Sequence, residues 1–357
     1  MSQNKILAFF LNLIIFKPIT VMLCGLLGIP HASVMLVSAI VLLATILLIG
    51  RIKKRLFYFL LLSLMIVVWL FSAAFSVAEY IYNALFVVNY LLILMLFCMT
   101  KSFSHPNNSN IWGFALIISL MVSFVDALLF GSLTNFVGRY TLIGYENPLW
   151  AARDLSIVVF YYFLTSKKAR GLEVFLLLAT ILFFLEARAV FLISILLYFI
   201  RFTPVYLVSG LGFLAALFYL LVEMNPFSIS RRIAEWSAIV SNFDNIPLLG
   251  FGVINYAQIS FTTLGVYSHN FILDLVLGYG IIGFLFSLWI VVNLFKLLML
   301  KDSKQLHYLM AVPIIYALAA LSQGSLISGM LGLCLIPFGI RINNYLVANY
   351  MDKASIA

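Results

Sequence analysis

Three polar stretches break up residues 223–274: Ser-Arg-Arg-Ile-Ala-Glu-Trp (230–236), Asn-Ile-Pro-Leu-Leu-Gly-Phe-Gly (245–252) and Ser-His-Asn-Phe-Ile-Leu-Asp (268–274). The last runs into Gly278, Gly280 and Gly283. Almost everything outside this region is apolar. A membrane protein that keeps one sizeable polar loop, with two arginines in it and a histidine at its end, points to chemistry at that loop.

Composition supports the membrane assignment. The chain has 357 residues, of which 65% are hydrophobic and 9% charged. Soluble domains of this length do not read so, whereas runs of about 18 or more apolar residues mark membrane-spanning helices. Met1 to Lys5 followed by an apolar run reads as a retained first span, without a cleavable signal pattern. Cys24, Cys98 and Cys334 lie far apart in apolar runs and read as small buried or lipid-facing residues, with neither a disulfide nor a metal site.

The apolar runs predict spans at 6–29, 32–50, 56–77, 80–100, 110–130, 148–165, 171–186, 188–201, 204–223, 270–296, 307–323 and 325–341. The fold expected is an all-α polytopic membrane protein of about twelve transmembrane helices. It forms a single membrane-embedded domain over 1–357, with 224–269 as one large outer loop inside it. Lys17-Pro18 interrupts the first span, and Glu186-Ala187-Arg188 separates a short pair.

Charge orients this map. Most basic residues, among them Arg51, Lys53, Lys54, Arg55, Lys167, Lys168, Arg170 and Lys301, fall on one side, which the positive-inside rule makes cytoplasmic. Both termini fall there too. The net charge of +9 is therefore mainly a topology signal and gives no reason to expect a nucleic-acid partner. The opposite side holds Arg139, Arg153, Arg188, Arg231 and Arg232 among nine acids, and Lys17 stays unplaced. A guanidinium is a planar fork that grips phosphate oxygens bidentately and never loses its charge. Arginines on the side that topology disfavours point to a role there.

Each candidate has a bland alternative. Arg231 and Arg232 are either a surface pair near Glu235 or an anion clamp. Arg232 and Trp236, four apart, share a helical face, an arrangement suited to a lipid-linked diphosphate at head-group depth. The texture of Ile233, Trp236, Ile239 and Val240 predicts a helix lying at the interface. Arg188 either snorkels beside Glu186 or points into a cavity. His269 is either structural or a general base titrating near neutrality. Asn270 is placed to cap the next helix. Arg153 and Asp154, neighbours in sequence, need separate partners and serve equally well as a buried network or a substrate contact. The three glycines are expected to let neighbouring helices approach closely.

No His-Glu-x-x-His, Cys-x-x-Cys, Gly-x-x-x-x-Gly-Lys, Gly-x-Ser-x-Gly or Asp-x-Asp occurs. A nucleotide cradle and a metal that neutralises a diphosphate are not signalled, so no cofactor is expected.

The ordered set resembles the bacterial O-antigen polymerases and O-antigen ligases. It consists of Arg188 with its apolar run, the arginine-to-tryptophan spacing before Pro-Leu-Leu-Gly-Phe-Gly-Val-Ile-Asn-Tyr (247–256), and His269-Asn270 leading through Asp274 to Gly280 and Gly283. The resemblance implies a GT-C-like membrane glycosyltransferase in the bacterial inner membrane, with a periplasmic active face. It implies a glycan carried on undecaprenyl diphosphate as donor and acceptor, and as pathway partners a flippase and a chain-length regulator. It implies catalytic roles for Arg188, Arg232 and His269, substrate contacts from Arg231, Trp236, Asn270, Arg153 and Arg139, and glycan specificity in the loops at 131–147 and 224–269. Polymerase is the expected activity. Ligation to lipid A core, or a lipid-linked oligosaccharide flippase, are the alternatives.

Overall fold

A computed structural model describes residues 12–13, 15–29, 109–131, 134–136, 139–165, 171–202, 226–251, 270–298, 314–315 and 318. The spans expected at 32–50, 56–77, 80–100, 204–223 and 325–341, and most of 307–323, lie outside these residues, as does His269. The described chain is helical apart from one two-residue antiparallel ladder. Two of its helices are long and apolar enough to cross a membrane, over Asn110–Leu129 and Phe271–Asn293.

Lys17-Pro18 divides the first span as expected. A short helical piece ends at Phe16, whose N–H still donates to the Asn12 carbonyl at 2.8 Å. Helix α1 (Lys17–Leu26) then starts with proline in its first turn, where the missing N–H costs nothing. Helix α2 (Ser109–Leu129) buries Leu116, Leu120, Ser123 and Asp126 along one stripe. Its other face carries Phe114, Ile118, Met121, Val125 and Leu128, all exposed. An apolar outward face beside a buried one is what contact with hydrocarbon requires.

Helix α3 (Pro148–Thr165) is the core element. Asn147 Oδ1 accepts the Leu149 N–H at 2.8 Å, and Pro148 fills the first helical position. Every side chain from Ala151 to Leu164 is buried. The helix is apolar around most of its circumference, as an element enclosed on all sides must be. Packed on it are α1, α4 (Gly171–Ala179) and α5 (Arg188–Phe202). Across the α3–α5 contact the Ser194 hydroxyl meets that of Ser156 at 3.0 Å, small residues that let two backbones lie close.

The segment expected as a loop at 131–147 is ordered and partly buried. It forms a ladder of β1 (Asn135–Phe136) with β2 (Arg139–Tyr140), then turns inward. Thr141, Leu142, Ile143 and Tyr145 are buried. Gly144, at φ +80°, presses on α1 so closely that a Cβ there would strike the Val21 carbonyl oxygen. Irregular backbone at such depth persists because it is enclosed by protein: the Thr141 N–H donates to the Thr134 carbonyl at 2.7 Å.

Helix α6 (Pro226–Ser241) and a 3-10 turn (Phe243–Asn245) occupy the start of the large loop. Helix α7 (Phe271–Leu298) follows the 270–296 expectation in extent but is broken at Gly280, with φ 55° and ψ −131°. Gly280 serves this break, and the nearest atoms to a Cβ at Gly280 or Gly283 belong to the 247–251 turn and to α7 itself. Gly283 lies against the carbonyl of Leu275, in the helix's own first arm, which shows how sharply the two arms fold. Gly250 and Gly280 admit the turn at 247–251, whose backbone enters the gap.

Candidate functional site

Arg188 is the first residue of α5, and the chain reaches it through an unusual turn. Helix α4 continues as a π-helical turn, Thr180–Phe184, closed by the Leu185 N–H on the Thr180 carbonyl at 3.0 Å. The Ala187 N–H then reaches back to Ile181 at 3.0 Å. Glu186, exposed between them, takes φ 49°, which a non-glycine residue adopts at a cost of about 1–2 kcal/mol. Single π turns and left-handed residues of this kind concentrate at functional sites. Here they lead into the first turn of α5, where the helix dipole favours an anion, and Arg188 stands half-buried in that turn.

The turn has a neighbour that sequence did not assign to it. The Tyr140 ring stacks on Phe184 with centroids 5.5 Å apart and planes at 18°, and Phe184 meets Phe124 edge-on at 4.7 Å. Strand β2, which carries Arg139, is thereby anchored beside the turn that leads to Arg188. The Arg139 side chain itself lies outside the description.

Helix α6 has one inward stripe. Glu235 and Ile239 are fully buried and Arg232 and Trp236 half-buried, while Ile233, Ser237, Val240 and Ser241 are exposed. The expected sharing of a face by Arg232 and Trp236 is seen, and it is the face turned into the protein. The side chain of Arg231 lies outside the description.

Asn270 caps α7. Its Oδ1 accepts the Ile272 N–H at 2.9 Å and approaches the Leu273 N–H at 3.5 Å. This commits the carbonyl oxygen to the helix. One turn on, Asp274 is fully buried and its N–H donates to the Asn270 carbonyl at 2.9 Å.

Arg153 and Asp154 are both buried in the first turns of α3. Asp154 receives the Lys17 ammonium at 2.9 Å and the Tyr145 hydroxyl at 2.9 Å, both on Oδ2. One carboxylate oxygen therefore ties α1, the 141–147 segment and α3 together. Sequence reasoning left Lys17 unplaced and did not mark Tyr145. The available signal was a lysine inside an apolar run, which demands an acid from elsewhere. Asp126 has a comparable structural tie, accepting the Thr134 hydroxyl at 2.9 Å.

No family model matches the chain, and no curated protein matches it. The chemistry must be argued from the residues. The described arrangement offers cationic groups at two partly enclosed places, the first turn of α5 and the inward face of α6. Both suit an anion, and the second adds an indole.

Proposed function

We propose that the chain is a membrane glycosyltransferase that polymerises O-antigen repeat units carried on undecaprenyl diphosphate, at the periplasmic face of the bacterial inner membrane. The observation that carries this reading is the inward face of α6, where Arg232 and Trp236 lie together half-buried. Arg188, in the first turn of α5 beyond a π turn, supports it. Two arginines without a metal motif suit a reaction whose main demand is stabilising a departing diphosphate.

In this reading the twelve-span, GT-C-like architecture holds the donor's diphosphate between Arg188 and Arg232, with Arg231 beside the latter. A hydroxyl oxygen of the acceptor glycan attacks the anomeric carbon of the donor sugar. The bond from that carbon to the diphosphate oxygen breaks, and undecaprenyl diphosphate leaves with its electron pair. The hydroxyl proton passes to the imidazole of His269, which precedes the Asn270 cap in sequence. The buried Lys17–Asp154–Tyr145 cluster has a structural part, fixing α1 against α3.

The deciding experiment is the lipopolysaccharide gel profile of a strain lacking the gene, with a plasmid copy as control. Core bearing a single repeat, with the ladder lost, is the expected result. Core without any repeat, alongside accumulating lipid-linked polymer, would make the protein a ligase. An unchanged ladder would overturn both.

A further inference from the structure

The turn at 247–251 has an odd combination of properties. Its tip is apolar and open: Leu248 is 74% exposed, Leu249 67% and Phe251 41%. Before it the exposed positions are mixed: Ser241, Asp244 and Asn245 are polar and Phe243 is apolar. From Pro247 to Phe251 no exposed position carries a polar side chain. In water such a tip would forgo about 1.5–3 kcal/mol for each large apolar side chain that burial would shelter.

Part of the turn's backbone is bonded inside the protein. Pro247 brings no N–H. The Gly250 N–H closes on the Pro247 carbonyl at 2.7 Å. The Phe251 N–H donates to the Leu277 carbonyl at 2.8 Å, and the Leu248 carbonyl accepts the Ile281 N–H at 3.0 Å. Each such bond lowers the cost of placing irregular backbone near hydrocarbon.

The bonded helix positions set the depth. Unbroken, the 28 residues of α7 would run about 42 Å, well beyond a hydrocarbon core of about 30 Å. Broken at Gly280, the arm from Ile281 to Leu298 is about 27 Å long. The first arm is mostly buried in protein. The second shows an exposed apolar face from its first residues onward: Ile281, Ile282, Leu285, Leu288 and Trp289. For that arm to span the core, the core must begin near Ile281, the residue bonded to the turn. The exposed tip is thus continuous with the lipid-facing surface of the helix.

We infer that the Pro247–Phe251 turn is a shallow membrane wedge, with Leu248, Leu249 and Phe251 inserted among the acyl chains of the leaflet nearest the start of α7. This rests on the membrane reading given above. It holds the end of α6 at the bilayer surface, so that the Arg232 and Trp236 face is presented at head-group level. The occupant of the tip is lipid, and no protein partner is required.

The test uses the full chain with its native cysteines replaced, reconstituted in vesicles of phosphatidylethanolamine and phosphatidylglycerol. Nitroxide labels go on L248C, L249C, D244C and L285C, and their collisions with oxygen and with a water-soluble nickel complex are compared. The expected result is nickel-dominated relaxation at D244C, shifting to oxygen-dominated relaxation at L248C and L249C, as at L285C. Nickel-dominated relaxation at both tip sites, with L285C in lipid, would overturn the wedge and leave the membrane reading intact. Low collision rates with both probes at the tip would place it in a protein interface and also overturn the wedge. An aqueous L285C would sink the membrane reading itself. Unlabelled wild-type protein gives an independent check, since lipids bearing an acyl-chain diazirine should leave adducts on residues 248–251, and their absence beside adducts on 281–292 counts against the wedge.

Discussion

The Phe251 N–H donates to the Leu277 carbonyl, the same oxygen that the Ile281 N–H would take in an unbroken helix. Ile281 in turn gives its N–H to Leu248. Both halves of the lost helical hydrogen bond are thus replaced by the two ends of one short turn. The break in α7 and the turn at 247–251 form one interlocked unit, and the path of the large loop is fixed at that point.

This interlock makes Gly280 costly to replace. Its φ and ψ lie where side chains are essentially excluded, and a Cβ there would meet the Leu248 carbonyl oxygen. Gly131 is the matched control, at φ +62° with nothing within 4 Å. Thermal unfolding in detergent should show G131A losing about 1–2 kcal/mol. G280A should lose at least about 3 kcal/mol, or fail to accumulate, because clash adds to backbone strain. Equal losses in the two variants would mean that the interlock contributes nothing.

The Lys17–Asp154 pair should show strong coupling. Asp154 is 2% exposed, and Lys17 is the cation on its Oδ2. Lys17 is 27% exposed, so the cost falls unevenly. Lys17→Met leaves a buried carboxylate without this cation and should cost up to about 3–5 kcal/mol, whereas replacing both partners with apolar residues is often near neutral. Asp154→Leu should cost less, because the lysine can reach solvent, and the double variant should melt above Lys17→Met. Tyr145→Phe removes one hydrogen bond to a charged acceptor and should cost about 1.5–3 kcal/mol. A double variant whose losses simply add would show that the contact is incidental.

How far the sequence disclosed these features depends on the range of the interactions. Helix starts at Pro148, Gly171 and Arg188 were readable because the signals are local: proline at a first position, and apolar runs ended by polar residues. The helical face shared by Arg232 and Trp236 was readable for the same reason. The break at Gly280 was not, since three glycines in an apolar helix equally describe tight packing and the difference lies in a turn some thirty residues away. The 131–147 segment was legible as a connection between the spans at 110–130 and 148–165, but its burial was not. Its burial depends on Thr141 and Ile143 finding partners at Thr134 and Ser123. Lys17 had no readable place because its acid lies on another helix.

Asn270 offers a way to separate a cap from a ligand contact. Asn270→Ala removes the oxygen that holds the Ile272 N–H and should cost about 1 kcal/mol. Asn270→Ser keeps a capping oxygen and should recover most of that stability. If the amide nitrogen also touches substrate, Asn270→Ser will be stable yet slow in an assay of repeat-unit polymerisation. Full activity in the serine variant would leave Asn270 with the cap alone.

The arginines carry the sharpest consequence. If Arg188 and Arg232 hold the departing diphosphate, Arg188→Ala and Arg232→Ala should each abolish the lipopolysaccharide ladder while the protein still elutes as a folded, monodisperse species. Arg232→Lys should rescue poorly, since an ammonium is a point charge without the guanidinium fork. His269→Ala should lower turnover more than donor binding, because a base acts on the proton in transit and leaves the ground-state grip on phosphate to the arginines. Donor binding is measurable with the purified variants and a lipid-diphosphate glycan. A normal ladder from both alanine variants would remove the clamp. A His269→Ala enzyme with unchanged turnover would return that residue to a structural role at the start of α7.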